Sequence, residues 1–92
     1  MFEFDPDKSA ANKAKYGIDF VEAQALWDGI MVTTPSNQAA AGEQRFLVLG
    51  EIGGKRWTAI VAHRNSMIRI ISVRRSRYDE ELQYEQACQD FR

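Results

Sequence analysis

The apolar positions change period along the chain. Residues 6–15 favour a short helix: Pro6 suits a first helical turn, Ala10 and Ala11 are strong helix formers, and Gly17 is a natural stop. Asp19 and Glu22 then form a capping-box pattern, with Ile18 and Ala23 placed as a hydrophobic staple. Phe20, Ala23 and Trp27 share one face of a second helix that Gly29 ends. Two short helices joined by a tight turn are therefore expected to open the chain.

From Ile30 the pattern turns to strand. Residues 30–34 are β-branched and short, a first strand stopped by Pro35. Residues 36–43 carry little that can pack and read as a mobile loop, in which three alanines can hold one helical turn. Two longer runs, 45–52 and 55–64, flank Gly53-Gly54, a strong two-residue hairpin signal. Asn65-Ser66 makes a second turn into residues 67–74, giving a three-stranded antiparallel meander with the first strand beside it. Alternation places Ile68 and Ile70 on one face of the last strand and Met67, Arg69, Ile71 and Val73 on the other, so the sheet is covered at least in part on both faces. Ser76 with Asp79 resembles an N-cap and an acidic first turn, and Tyr84, Ala87, Cys88 and Phe91 share a face of the helix that follows. The order predicts an α+β domain: two short N-terminal helices, a three- to four-stranded antiparallel sheet and a C-terminal helix.

Length and composition narrow the class. The 92 residues, 45% apolar and 27% charged, fit one ordinary globular domain over residues 1–92 with no second core. A single cysteine, Cys88, excludes an intrachain disulfide scaffold and a multi-cysteine zinc site. No apolar run approaches the roughly 20 residues of a membrane helix, and residues 1–7 lack the basic start of a secretory signal. A cytoplasmic protein with no membrane partner is the expectation.

The net charge of −1 argues against a nucleic-acid binder, but the two signs are separated along the chain. Lys55, Arg56, Arg64, Arg69, Arg74, Arg75 and Arg77 lie between Ile52 and Tyr78 with no acid among them; Asp79, Glu80, Glu81, Glu85 and Asp90 follow. Two readings stay open: a polyanion-binding face, or a solvated strand face balanced by an acidic helix.

Common phosphate-loop, dinucleotide and metalloprotease motifs are missing, and no Cys/His spacing suits a metal. His63, the only histidine, is structural, exposed, or a general base; Cys88 reads as a small buried hydrophobe. Arg69, flanked by apolar residues, is either a phosphate clamp or a salt-bridge partner of Glu80 or Glu81. Arg74, Arg75 and Arg77 crowd the strand-to-helix junction, more arginines than folding requires, so at least one is expected to face a partner.

Phe2-Glu-Phe-Asp5, Lys8, Asn12, Lys15-Tyr16-Gly17-Ile18 and Phe20 resemble the opening F-x-W-D-x-x-K-x-x-x-N-x-x-K-H-G-V-x-F of BrnT toxins. Arg64 and Ile68-Arg69-Ile-Ile-Ser-Val-Arg-Arg75 resemble that family's R-x-x-x-I-R-I-I-S-A-R-R block, and Tyr84-Glu85 its closing Y-E pair. The resemblance spans nearly the whole chain except the loop from Thr34 to Glu43. It implies a RelE-like fold and a ribonuclease toxin of a type II toxin–antitoxin pair, acting without cofactor or metal. It also implies a BrnA-type antitoxin whose ribbon-helix-helix part binds operator DNA, an RNA substrate, and operator contact only through that complex. By the same resemblance Arg69, Arg74, Lys15 and Tyr84 are expected to serve catalysis and Arg64 to bind RNA. From the residues themselves, Arg75 and Arg77 at the basic junction and Tyr16 as a stacking group are expected to bind RNA too, with His63 a further proton-transfer candidate. The chain departs from the family pattern in three places: Tyr16 replaces a histidine, Ala62 a threonine, and Glu80-Glu81 an E-R pair. The alternative expectation is a non-catalytic interaction module or an inactivated toxin homologue.

Overall fold

A computed structural model describes residues 1–37 and 42–91. The elements are β1 (Phe2–Glu3), α1 (Pro6–Tyr16), a 3-10 helix (Glu22–Asp28), β2 (Val32–Pro35), β3 (Arg45–Ile52), β4 (Lys55–Arg64), β5 (Met67–Arg75) and α2 (Tyr78–Asp90). The α+β class stands. The sheet, however, has five strands in the order β1-β5-β4-β3-β2, and it is mixed rather than antiparallel because β1 runs parallel to β5. A two-residue strand has no periodicity to detect; it forms because β5 offers it an open edge, where Ile68 N donates to Met1 O at 2.8 Å.

Helix α1 begins as expected. Asp5 caps it by accepting from Asp7 N at 2.8 Å, Pro6 fills the first turn, and Gly17 closes it with φ +83°, donating to Lys13 O. Two polar side chains on its buried side bind it to the rest of the fold. Ser9 Oγ accepts from Phe20 N at 2.9 Å. Asn12 donates to Ile18 O (2.8 Å) and Val73 O (3.0 Å) and accepts from Val73 N (3.2 Å). Beyond the end of short β1, its amide thus replaces a neighbouring strand along the edge of β5.

The reciprocal Asp19–Glu22 capping bonds form, at 2.7 and 3.0 Å, but the helix they start is a 3-10 helix and not an α-helix. Its three-residue period buries Ala23 and Leu26, which join Phe20 ahead of it in the core, in place of the expected Phe20, Ala23 and Trp27. Trp27 is only partly buried and meets Phe2 edge-on, with ring centroids 4.9 Å apart. Leu26 packs directly on β3 at Gly50, where a Cβ would stand 2.8 Å from Leu26 Cδ2.

The central hairpin has the expected bounds and register. Gly53 and Gly54 take φ +59° and +78°, the pair of positive angles that a two-residue turn between twisted strands needs. Asn65 and Ser66 take φ +50° and +67° in the next turn. Strand β2 is set two residues later than expected at its start and includes Pro35, which an edge strand tolerates because no ladder donor is required there. The expected loop and helical turn at residues 36–43 fall in part on residues 38–41, outside the described residues.

One face of the sheet carries Val48, Trp57, Ala59, Val61, Ile70 and Val73, which pack with Ile18, Phe20, Ala23 and Leu26 as the main core. Helix α2 covers part of the other face. Its N-cap is Arg77, not Ser76; Ser76 Oγ bonds Thr58 Oγ1 at 2.9 Å, and the Glu80 carboxylate accepts from Arg77 N. Glu80 and Tyr84 are its buried residues, Ala87 and Cys88 are half-buried, and Phe91 is exposed past the last turn, so the expected apolar face is only half realised.

A candidate nucleic-acid interface on the open sheet face

Strand β5 does not alternate regularly. Ile60 pairs with Ser72 while Val61 pairs with Ile70, leaving Ile71 as an extra, bulged residue. Beyond it every side chain changes face. Val73 therefore joins Ile70 in the core, against the expectation that it shares a face with Arg69, and Arg74 moves to the face of Arg69. The register then sets Arg45, Ala62, Arg69 and Glu3 in one row across β3, β4, β5 and β1. Arg64 stands on the same face, one step further along β4, opposite Met67.

Three of these arginines surround one carboxylate. Arg64 grips Glu43 with two nitrogens, Nε to Oε2 and Nη2 to Oε1 (3.2 Å). The Glu43 carboxyl is held below the usual range by that hydrogen bond, then by the positive charges of Arg64, Arg45 and Arg69, partial burial opposing. Arg69 itself is half-buried, with Nη1 3.9 Å from Glu3 Oε1, beyond hydrogen-bond reach. Arg45 Nε is buried and has no hydrogen-bond partner among the described residues.

About four residues further along β4, roughly 13 Å away, Arg74 is tied into a different network. Its Nη1 and Nη2 lie 2.7 and 2.9 Å from the two oxygens of buried Glu80, which also accepts from Thr58 Oγ1 (2.9 Å) and Arg77 N (2.8 Å). The Arg74 bond, helped by the other two against the effect of burial, lowers the Glu80 carboxyl to about 2. The salt bridge foreseen for Arg69 is thus made by Arg74. Leu47, Ile60, Arg74, Arg77 and Asp79 line a cleft of about 290 Å³ here. Tyr16, partly exposed, lies near Arg74, and Lys15 Nζ stands 5.1 Å from the Tyr16 ring centroid.

The remaining candidates are elsewhere. Arg75 is on the core side, its guanidinium 5.5 Å from the Trp57 ring centroid and its Nε donating to Arg56 O at 3.2 Å. His63 is on that side too, stacked on Phe46 with centroids 5.0 Å apart. Tyr84 is buried under α2 beside Arg56 and Cys88; burial, then the Cys88 contact, raises its phenol above the ordinary value. Arg56, its neighbour, is six residues from Ala62 along β4, roughly 20 Å of strand.

Arg45, Glu43 and Glu3 are not among the residues the sequence reading selected. Arg45 was within its reach: two-residue turns at Gly53-Gly54 and Asn65-Ser66 fix both registers, and counting back from them pairs Arg45 and Arg69 with Ala62. No local signal marks Glu43 or Glu3.

Among the described residues the open face thus offers a half-buried arginine cluster suited to holding a planar or tetrahedral oxyanion through forked hydrogen bonds. A search of curated proteins finds no match to this chain. The family model for the ribonuclease toxin BrnT, of type II toxin–antitoxin systems, matches residues 4–80, a span holding α1, the whole sheet from β2 to β5 and the arginine cluster. On that match, the chain belongs to the BrnT family of ribonuclease toxins of type II toxin–antitoxin systems.

Proposed function

We infer that this chain is a cytoplasmic endoribonuclease toxin that cleaves RNA without a metal, and that a BrnA-type antitoxin neutralises it. The supporting observation is the convergence of Arg45, Arg64 and Arg69 on an open sheet face. RNA carries its own nucleophile. The 2′-OH attacks the adjacent phosphorus, its proton leaves to a base, and the 5′ oxygen departs as it gains a proton, giving a 2′,3′-cyclic phosphate and a 5′-OH end. The protein's tasks are alignment, charge stabilisation and proton handling. Arg69 holds the scissile phosphate, Arg64 and Lys15 line the approach, and Arg74, fixed by Glu80, orders the neighbouring cleft. Tyr84 is buried and His63 lies on the opposite face, so neither is placed to move a proton at the Arg69 phosphate, and Lys15 and Tyr16, beside Arg74, contact the RNA strand further along. The antitoxin's ribbon-helix-helix part carries operator binding for the pair.

The test is induction of the chain alone in bacteria, with mapping of RNA 5′ ends, repeated with the adjacent antitoxin gene. Growth arrest with new 5′-OH ends, relieved by the antitoxin, is the expected result. Normal growth with unchanged RNA and folded protein overturns it.

A second reading, a non-catalytic interaction module or a toxin silenced by the tyrosine at position 16, is favoured by one observation. Arg64, Arg69 and Arg74 each already face a carboxylate, from Glu43, Glu3 and Glu80. Arg69→Ala separates the two: it abolishes growth arrest and spares antitoxin binding in the toxin, and weakens only partner binding in the module.

A further inference from the structure

Glu43 is the odd member of the arginine cluster. It reaches the sheet face from the β2–β3 connection and meets Arg64 through two nitrogens on two oxygens. That fork is the geometry an arginine uses on a phosphate. Arg45 and Arg69 stand on either side of Ala62 and both act on the same carboxylate. Counting charges, three arginines face Glu43 and Glu3, so the cluster keeps an excess of one positive charge. Glu3 leaves Arg69 loosely engaged at 3.9 Å. Arg45 Nε, buried, is a donor that meets no acceptor among the described residues.

We propose that Arg45, Arg64 and Arg69 form a seat for one phosphodiester of the RNA strand, that Glu43 occupies this seat in the free protein, and that RNA binds by exchanging its phosphate for the Glu43 carboxylate. This rests on the ribonuclease reading and adds to it a phosphate-binding residue, Arg45, and an internal competitor. The exchange is physically accessible because exposed ion pairs contribute little stability, and Arg64 is half-exposed. A phosphodiester anion restores the forked bond that Arg64 loses and supplies an acceptor within the reach of Arg45. Glu43 is poorly suited to the alternative role of general base, since its two oxygens are engaged and its proton affinity is lowered.

The experiment measures binding of a fluorescein-labelled 2′-O-methyl RNA oligomer, which lacks the nucleophile and stays intact, to the full chain by anisotropy. Glu43→Gln is compared with Glu51→Gln, which removes the same charge from the same sheet face beside Arg56, away from the cluster. Glu43→Gln is expected to tighten binding by about fivefold or more, Glu51→Gln by less than about twofold, and Arg45→Ala to weaken it by about fivefold. In the Arg45→Ala background the gain from Glu43→Gln shrinks, because the seat it frees is incomplete. Glu43→Ala serves if the glutamine variant fails to fold. Equal tightening by both charge-removing variants, or no change at Glu43, overturns the exchange while cleavage of unmodified RNA by the wild-type chain leaves the ribonuclease reading in place. If the wild type neither binds the oligomer nor cleaves RNA, both fall together.

Discussion

Arg69 and Arg74 project from the same face of β5 although they stand five positions apart, a spacing that a regular strand would place on opposite faces. The bulge at Ile71 is the cause. Once on one face, the two arginines diverge in role: Arg69 has only a loose contact with Glu3, whereas Arg74 is locked to Glu80. Their alanine variants should differ accordingly. Arg69→Ala is expected to lower RNA cleavage by about 10²–10³-fold and to shift unfolding by less than about 1 kcal/mol. Arg74→Ala should cost about 3 kcal/mol, because it leaves the buried Glu80 carboxylate without its main partner. Cleavage assays and urea unfolding on the same preparations check both.

Glu80 also makes stability depend on pH in acid. Its carboxyl is lowered from 4.5 to about 2, first by the hydrogen bond from Arg74. A folded-state value below the unfolded one means that the unfolded chain binds the proton more readily. The contribution is therefore complete above about pH 5 and is lost as pH falls toward 2, amounting to roughly 2–3 kcal/mol. Thermal unfolding between pH 6 and pH 2.5 should show this loss, and Glu80→Gln should flatten it while lowering the melting temperature at pH 7.

Asn12 holds three backbone groups with one amide, two of them on Val73. Asn12→Ala leaves the Val73 N–H and the Ile18 and Val73 carbonyls without it, at a cost of about 2–4 kcal/mol. Asn12→Asp, which has no donors, should be nearly as harmful and not a rescue. Hydrogen exchange at the Val73 amide is the direct measurement: it should quicken in both variants well beyond the other central amides of β5.

Gly50 and Leu26 should be energetically coupled. A methyl at position 50 meets Leu26 Cδ2 at 2.8 Å, and Leu26 is fully buried. Gly50→Ala alone should destabilise by about 1–3 kcal/mol through overpacking. In the Leu26→Ala background the same substitution should cost much less, since the shortened side chain vacates the space. A double-mutant cycle in urea gives the coupling energy, expected to exceed about 1 kcal/mol.

Much of this architecture is decided by short-range chemistry and is legible in the sequence. Asp5, Pro6 and Gly17 delimit α1, and the Asp19–Glu22 pair marks the next start. Gly53-Gly54 and Asn65-Ser66 fix two hairpins and, with them, the row that brings Arg45 and Arg69 to either side of Ala62. Turn geometry needs only the residues in the turn, and register follows from it by counting. The family motifs, too, stand in the linear order of residues. Only the tertiary structure decided what depends on distant partners. The 3-10 period at Glu22–Asp28 goes with the packing of Leu26 on Gly50, and the parallel β1 and the Asn12 amide both use the open edge of β5. The bulge moved Arg74 to the face of Arg69 and sent Val73 inward. Glu80, buried beside Thr58, claimed Arg74, and Glu43 claimed Arg64. An arginine reads as a free cation in a sequence because the carboxylate that neutralises it, up to 21 residues away for Arg64, is brought near only by folding.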